Sequence, residues 1–196
     1  MPDVLKRNVR FGKPEKYLAP GEFYASRDDM VISTLLGSCI SVALYDPLFL
    51  AGGLNHFLLP FPKNSDNPLF SNSARYGINA MEVLINGIMK LGGKKNRLMA
   101  KVFGGSAIID YKKKATYNIP KMNIQFVFEF LENERIPVEA YSVGGTLPRR
   151  IYFFPKEARV LMKYSKSSQV GLIRKETEYS ETLLEKTQNA GKPILF

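Results

Sequence analysis

The chain holds a single cysteine, Cys39, and a single histidine, His56, and both fall in one stretch, "TLLGSCISVALYDPLFLAGGLNHFLLP" (34–60). A thiol beside an imidazole can carry out acyl transfer. A free thiol has a pKa of about 8.5 and is mostly protonated at neutral pH, whereas a neighbouring imidazole can take its proton and leave a thiolate. The thiolate attacks an acyl carbon, the imidazolium protonates the leaving group, and the imidazole then activates water. Gly37, just before Ser38 and Cys39, lets backbone N–H groups approach a substrate oxyanion; Ser33, Gly37 and Ser38 are therefore candidates for contact near the site.

Something must bring residues 39 and 56 together. Asp46-Pro47 is a turn initiator between two apolar runs, so "ISVALYD" and "LAGGLNHFLLP" read as a hairpin. With Tyr45 opposite Leu50, paired positions sum to 95, and 39 and 56 share that sum. The two side chains would then face each other with Cβ atoms about 4.5–5.5 Å apart. A loop of odd length, or a bulge at Gly52-Gly53, would change that register. A cysteine as a small buried hydrophobe and a histidine with a structural role remain the plainer alternative.

The rest of the chain supplies a sheet and helices to hold this hairpin. "YLAPGEFYAS" reads as a strand broken at Pro20-Gly21, and "MVISTLLGSC", "LMAKVFGG", "PVEAYSVGG", "RRIYFFP" and "ARVLMKY" as further strands, the last two a hairpin around 155–157. Residues 61–75 are polar and rich in Pro, Asn and Ser, as loops are. In "RYGINAMEVLINGIMKLGG", Ile78, Met81, Leu84, Ile85, Ile88 and Leu91 share one helical face; Met122, Phe126, Val127, Phe130 and Leu131 do so in a second helix. The expected class is α+β, sandwich-like, with a mixed, largely antiparallel sheet and two amphipathic helices packed on it. The expected organisation is a basic arm over 1–16, a folded domain over 17–164 and a charged tail over 165–196 that is partly helical or mobile.

Composition narrows the function. An apolar fraction of 45% with 13 Phe and 10 Tyr suits a folded globular protein. One cysteine forms neither an internal disulfide nor a multi-thiolate metal site, so neither a metal nor another cofactor is expected, and a reducing, cytoplasmic setting fits. The basic start has no apolar core like that of a secretory signal, and no apolar run is long enough to span a bilayer. The net charge of +10 is scattered and comes with no nucleic-acid motif, so an acidic protein surface is the expected partner in place of nucleic acid. No GxGxxG or P-loop pattern calls for a nucleotide; the Gly-Gly pairs at 104–105 and 144–145 read as tight turns near the site.

The signature "TLLGSCISVALYDP…GGLNHFLLP" resembles the chemoreceptor glutamine deamidases of the CheD family. The likeness continues through "RYGINAMEVLINGIMKLG", "KVFGGS", "NIPKMN", "IPVEAYSVGG" and "RRIYFFP…RVLMK". It implies a hydrolase of bacterial chemotaxis, a protein-glutamine glutaminase, with Cys39 as nucleophile, His56 as general base and acid, and a hydroxyl upstream of the cysteine that orients the imidazole. Thr34 fits that third role best and Ser33 is the second candidate. It also implies the cytoplasmic domain of a chemoreceptor as substrate, with hydrolysis of glutamyl methyl esters a further activity, and a CheC-type phosphatase as partner. A non-catalytic module docking on that phosphatase or on receptors is the alternative. Pro120 and Pro148 stand where the family often has glycine, which bears on partner contacts.

Overall fold

The computed structural model describes residues 5–59, 72–108 and 118–165, together with positions 171, 172, 174, 176, 178, 179 and 182 of the C-terminal stretch. The strands divide between two five-stranded sheets. The first has the order β1 (Lys6–Asn8), β2 (Lys13–Tyr17), β4 (Val31–Leu36), β9 (Arg149–Phe154), β10 (Arg159–Tyr164); the second runs β3 (Phe23–Ser26), β6 (Ala51–Asn55), β5 (Ile40–Asp46), β7 (Met99–Gly104), β8 (Val138–Val143). Pairings are antiparallel except β2 with β4 and β7 with β8. Helices α1 (Asn72–Lys90) and α2 (Ile119–Asn133) cover the second sheet. The expected α+β class, mixed and mostly antiparallel with two helices, is what forms. β1 and all but the last residue of β2 lie within the stretch set apart as a basic arm, and β2 is hydrogen-bonded into the first sheet. Most of the polar segment 61–75 and the "DYKKK" run lie outside the described residues; positions 72–75 are already helical.

Alternation along β5 builds three layers. Ile40, Val42 and Leu44 face the helices, where they meet Met81, Leu84, Ile88, Phe126, Val127 and Leu131. Ala43 and Tyr45 face the other way and pack with Ile32 of β4 and Phe153 of β9 between the sheets. Fully buried Met81, Leu84 and Ile88 each contribute about 1.5–3 kcal/mol to burying the inner face of α1. Ile78, expected on that face, is 37% exposed.

The hairpin register differs from the expected one. Asp46 pairs with Ala51, Tyr45 with Gly52 and Ala43 with Leu54, and an isolated bridge joins Ile40 to Phe57. The turn therefore closes one residue later, and Leu50, expected opposite Tyr45, lies in the turn with φ 52°. Cys39 and His56 are not directly opposite. They are diagonal neighbours on the same face, a separation that long side chains still bridge. Asp46 explains the shift. Its carbonyl accepts from Leu50 N–H (3.0 Å), and its buried carboxylate accepts from Leu48 N–H (3.0 Å), Phe49 N–H (3.1 Å), Lys94 N–H (2.9 Å) and Arg97 Nε (2.9 Å).

Burial pushes the Asp46 carboxyl up, but Arg97 and the N–H groups of Lys94, Phe49 and Leu48 outweigh it and hold its pKa at about 2. Ionised Asp46 thus stabilises the fold fully above the ordinary carboxylate range, and this stabilisation is lost as pH falls through that range toward about 2. Asp46→Ala is expected to cost about 2–4 kcal/mol, since it strips several part-buried donors of their acceptor. Urea denaturation at pH 7 and pH 3 checks this: the deficit of the variant should shrink at the lower pH.

Candidate active site

Residues 37–39 carry the chain from the first sheet to the second, from the end of β4 to the start of β5. Every carbonyl of this crossover is tied from behind. Gly37 O accepts from Ser106 N–H (2.7 Å), Cys39 O from Gly105 N–H (2.8 Å) and Ser38 O from the buried Asn123 side-chain amide on α2 (2.9 Å). The N–H groups of the same residues all point the other way, to the carboxylate of Glu176. Glu176 Oε1 accepts from Gly37 N–H (2.8 Å) and Cys39 N–H (3.4 Å), and Oε2 accepts from Ser38 N–H (2.9 Å) and Ser38 Oγ (2.6 Å). Successive N–H groups converging on one point form an anion-binding nest.

Two glycines make this possible. A Cβ on Gly37 would lie 2.1 Å from Ile108 Cδ1 and within 3.0 Å of both Glu176 oxygens. Gly104 has φ 114°, and a Cβ there would lie 2.1 Å from the Cys39 carbonyl oxygen. The Gly-Gly pairs expected as turns abut each other behind the crossover: Gly144 N–H donates to Gly104 O (2.9 Å) and Ala107 N–H to Gly145 O (2.8 Å). Buried Arg149, next to Pro148, locks them by donating to Gly104 O (2.9 Å), Ser106 Oγ (2.7 Å) and Gly144 O.

Thr34, Cys39 and His56 all turn into the space between the sheets, and all three are buried. Thr34 has one hydroxyl hydrogen, which goes to the Leu18 carbonyl (2.8 Å). Its oxygen therefore accepts from His56 Nδ1, 2.7 Å away. That fixes the tautomer: Nδ1 carries the proton and Nε2 is the base. Nε2 is buried and has no hydrogen-bond partner among the described residues. Ser33, the other hydroxyl candidate, is one residue away on the strand and points to the opposite face, where it donates to Glu15.

Cys39 Sγ, a His56 ring nitrogen and a Glu176 oxygen lie within 4.8 Å of one another. They could offer three ligands to a metal ion, although here the carboxylate is already satisfied by the nest. Burial, then the charge and hydrogen bonding of Glu176, push the Cys39 thiol well above its usual range, against a smaller opposing pull from a backbone hydrogen bond. Burial pushes the His56 pKa down to about 4, with the Glu176 charge opposing. At neutral pH the pair is a thiol beside a neutral imidazole. Asn123 and Glu176 are not singled out by residue type or spacing in the sequence. Asn123 lies in the "NIPKMN" motif; Leu172, Glu176 and Tyr179 recur at helical spacing within the charged tail.

Residues 58–164 match the family model described as CheD chemotactic sensory transduction. The chain belongs to the CheD family. The matched region begins just after His56, so within the site it takes in Asn123 and the Gly104–Ser106 turn but not the thiol or the imidazole. A Shewanella oneidensis CheD, named a probable chemoreceptor glutamine deamidase, is 42% identical over 163 residues, covering 83% of this chain and 78% of its own. A CheD of the same description from Herminiimonas arsenicoxydans is 41% identical over 188 residues, covering 95% of this chain and 91% of its own. Among solved structures, Neisseria meningitidis protein NMB0706 aligns over 70% of this chain and 65% of that one at 14% identity, with a TM-score of 0.41, too low to bear on the site.

With one histidine in the chain, its imidazole can be followed by nitrogen NMR without assignment. The ring is expected to remain neutral and Nδ1-protonated at pH 7, and to gain its second proton only near pH 4. Its pKa is lowered on folding, so the unfolded chain takes up the proton first, and stability falls as pH drops from about 6.5 toward about 4. Thr34→Val should release the tautomer preference and cost about 1–3 kcal/mol in denaturation, because the Leu18 carbonyl and Nδ1–H lose their partner.

Proposed function

We propose that this chain hydrolyses glutamine side-chain amides on chemoreceptors to glutamate, with Cys39, His56 and Thr34 as its catalytic group. The observation that carries this reading is the convergence of three features at one point. A thiol, a base nitrogen with fixed tautomer and a nest of three N–H groups meet in the space between the sheets. The names of the CheD relatives supply the substrate. A module that only docks on a partner has no need of such an arrangement.

His56 Nε2 takes the thiol proton and Cys39 Sγ bonds to the glutamine Cδ. The carboxamide oxygen becomes an oxyanion held by the N–H groups of Gly37, Ser38 and Cys39. The C–N bond breaks, and ammonia leaves with the proton from His56. Nε2 then takes a proton from water, whose oxygen attacks the γ-glutamyl thioester; glutamate departs and the thiol is restored. Glutamyl methyl esters would pass through the same thioester. Thr34 holds the ring by Nδ1, which leaves Nε2 free to serve as the base.

In this reading the chemistry lies within residues 17–164, flanked by 1–16 and 165–196. The enzyme works in the cytoplasm on the receptor's cytoplasmic domain, and a CheC-type phosphatase is a docking partner. Among the described residues no helix is long and apolar enough to cross a membrane. The positive net charge favours encounter with an acidic protein surface.

Mass spectrometry of a receptor cytoplasmic fragment tests the reading, since each amide converted to an acid is visible as a mass shift. Wild-type protein should produce the shift and Cys39→Ala should not. His56→Ala should lose about 10²–10⁴-fold in rate or more, the usual contribution of a general acid–base group. Thr34→Ala should lose less than that, Thr34→Ser should retain most activity, and Ser33→Ala should be near wild type. Receptor left unmodified by wild type and also by Glu176→Ala, which frees the nest of its carboxylate, would refute the substrate assignment.

A further inference from the structure

The carboxylate in the nest belongs to the chain itself. Glu176 comes from the C-terminal stretch, 137 residues beyond Cys39, yet it is buried, and among the described residues its hydrogen bonds go to Gly37, Ser38 and Cys39. The described positions around it are helical, and Leu172, Glu176 and Tyr179 follow the spacing that puts residues on one helical face. Leu172 is buried, and the Tyr179 hydroxyl meets that of Tyr76 on α1. Tyr179 also packs against the cluster around Cys39, Leu36 and Ile151. The side chain is thus seated by a contact on either side of it along the helix.

Its chemistry is that of the proposed product. A glutamate side chain has the length of the substrate glutamine and the functional group that remains after ammonia leaves. Between them its two oxygens occupy the three N–H donors assigned to the oxyanion. Oε2 accepts from the Ser38 N–H, which a carboxamide nitrogen cannot do, because it is itself a donor. A carboxylate therefore satisfies the nest better than a resting amide does. The same negative charge beside Sγ opposes formation of the thiolate.

We propose that Glu176 is a tethered product analogue that holds the active site closed, so that a substrate glutamine must displace it before Cys39 can react. This rests on the deamidase reading for its meaning, but the occlusion itself is physical and can be measured without any substrate. Tethering gives the carboxylate a high effective concentration at the nest. A partner that captures the C-terminal stretch would switch the enzyme on.

Cys39 is the only thiol, so its alkylation by iodoacetamide reads the closed state directly. In Glu176→Ala, alkylation at pH 7 should be at least about tenfold faster than in wild type, the effect of lowering the pKa of a mostly protonated thiol by one unit. Conversion of a receptor fragment should also be faster. Equal alkylation rates in the two proteins would overturn the inference. If the rates are equal while wild type converts the receptor, the closure fails and the deamidase reading stands. If alkylation accelerates but neither protein converts the receptor, the closure stands and the deamidase reading fails.

Glu176→Gln keeps the shape of the side chain and makes the sharper test. It places an amide beside the thiol, and Cys39, with water as co-reactant, should convert it to glutamate and ammonia. The peptide containing residue 176 should carry glutamate in that variant and glutamine when Cys39→Ala is added. Glutamine persisting at 176 in a protein that still converts the receptor would overturn the placement of this side chain at the reacting position.

Discussion

The site depends on the direction of three peptide groups. At the crossover between the sheets, the carbonyls of Gly37, Ser38 and Cys39 are engaged by Ser106, Asn123 and Gly105, which come from the β7 turn and from α2. Buried backbone groups cannot go unsatisfied without cost. Binding all three carbonyls from one side leaves all three N–H groups facing the other. The anion nest is thus a by-product of how the chain changes sheets, and the thiol is the side chain of the last residue in it. A Cβ at Gly104 would push the Cys39 carbonyl off its place and turn the nest with it.

Electrostatics then sets the resting state. Cys39, His56 and Thr34 lie between two packed sheets, where burial disfavours charge on either the thiol or the ring. The tautomer is decided elsewhere, by the Leu18 carbonyl that takes Thr34's only hydroxyl hydrogen. A base held neutral with Nε2 open and a thiol held protonated make a poised pair. The Glu176 charge beside the pair acts on both members: it opposes the thiolate and supports the imidazolium.

The class of fold was legible in the sequence by itself, and so was a candidate pairing of thiol and imidazole. A lone thiol and a lone imidazole on either side of an Asp-Pro turn could be read as a reactive pair, and strand alternation and helical spacing gave the α+β class and most of the inner faces of both helices, Ile78 and Met122 excepted. These are local properties, set by residue type and period over a few positions. The choice between Thr34 and Ser33 was already narrowed by the strand's two-residue period, since only one of them can face inward.

Tertiary structure decided the rest. The hairpin register turned on Asp46, whose carboxylate is shared among its own turn, Lys94 and Arg97, about fifty residues away. No count of turn residues contains that information. The division into two sheets, the tautomer of His56 and the direction of the nest all rest on hydrogen bonds between segments far apart in the chain. Glu176 is the extreme case: along the sequence it is one charge in a run of alternating charges, which ordinarily stays in water. Only the fold offers it four donors at one point, enough to compensate burial of a carboxylate, and that balance of desolvation against hydrogen bonding cannot be read from spacing.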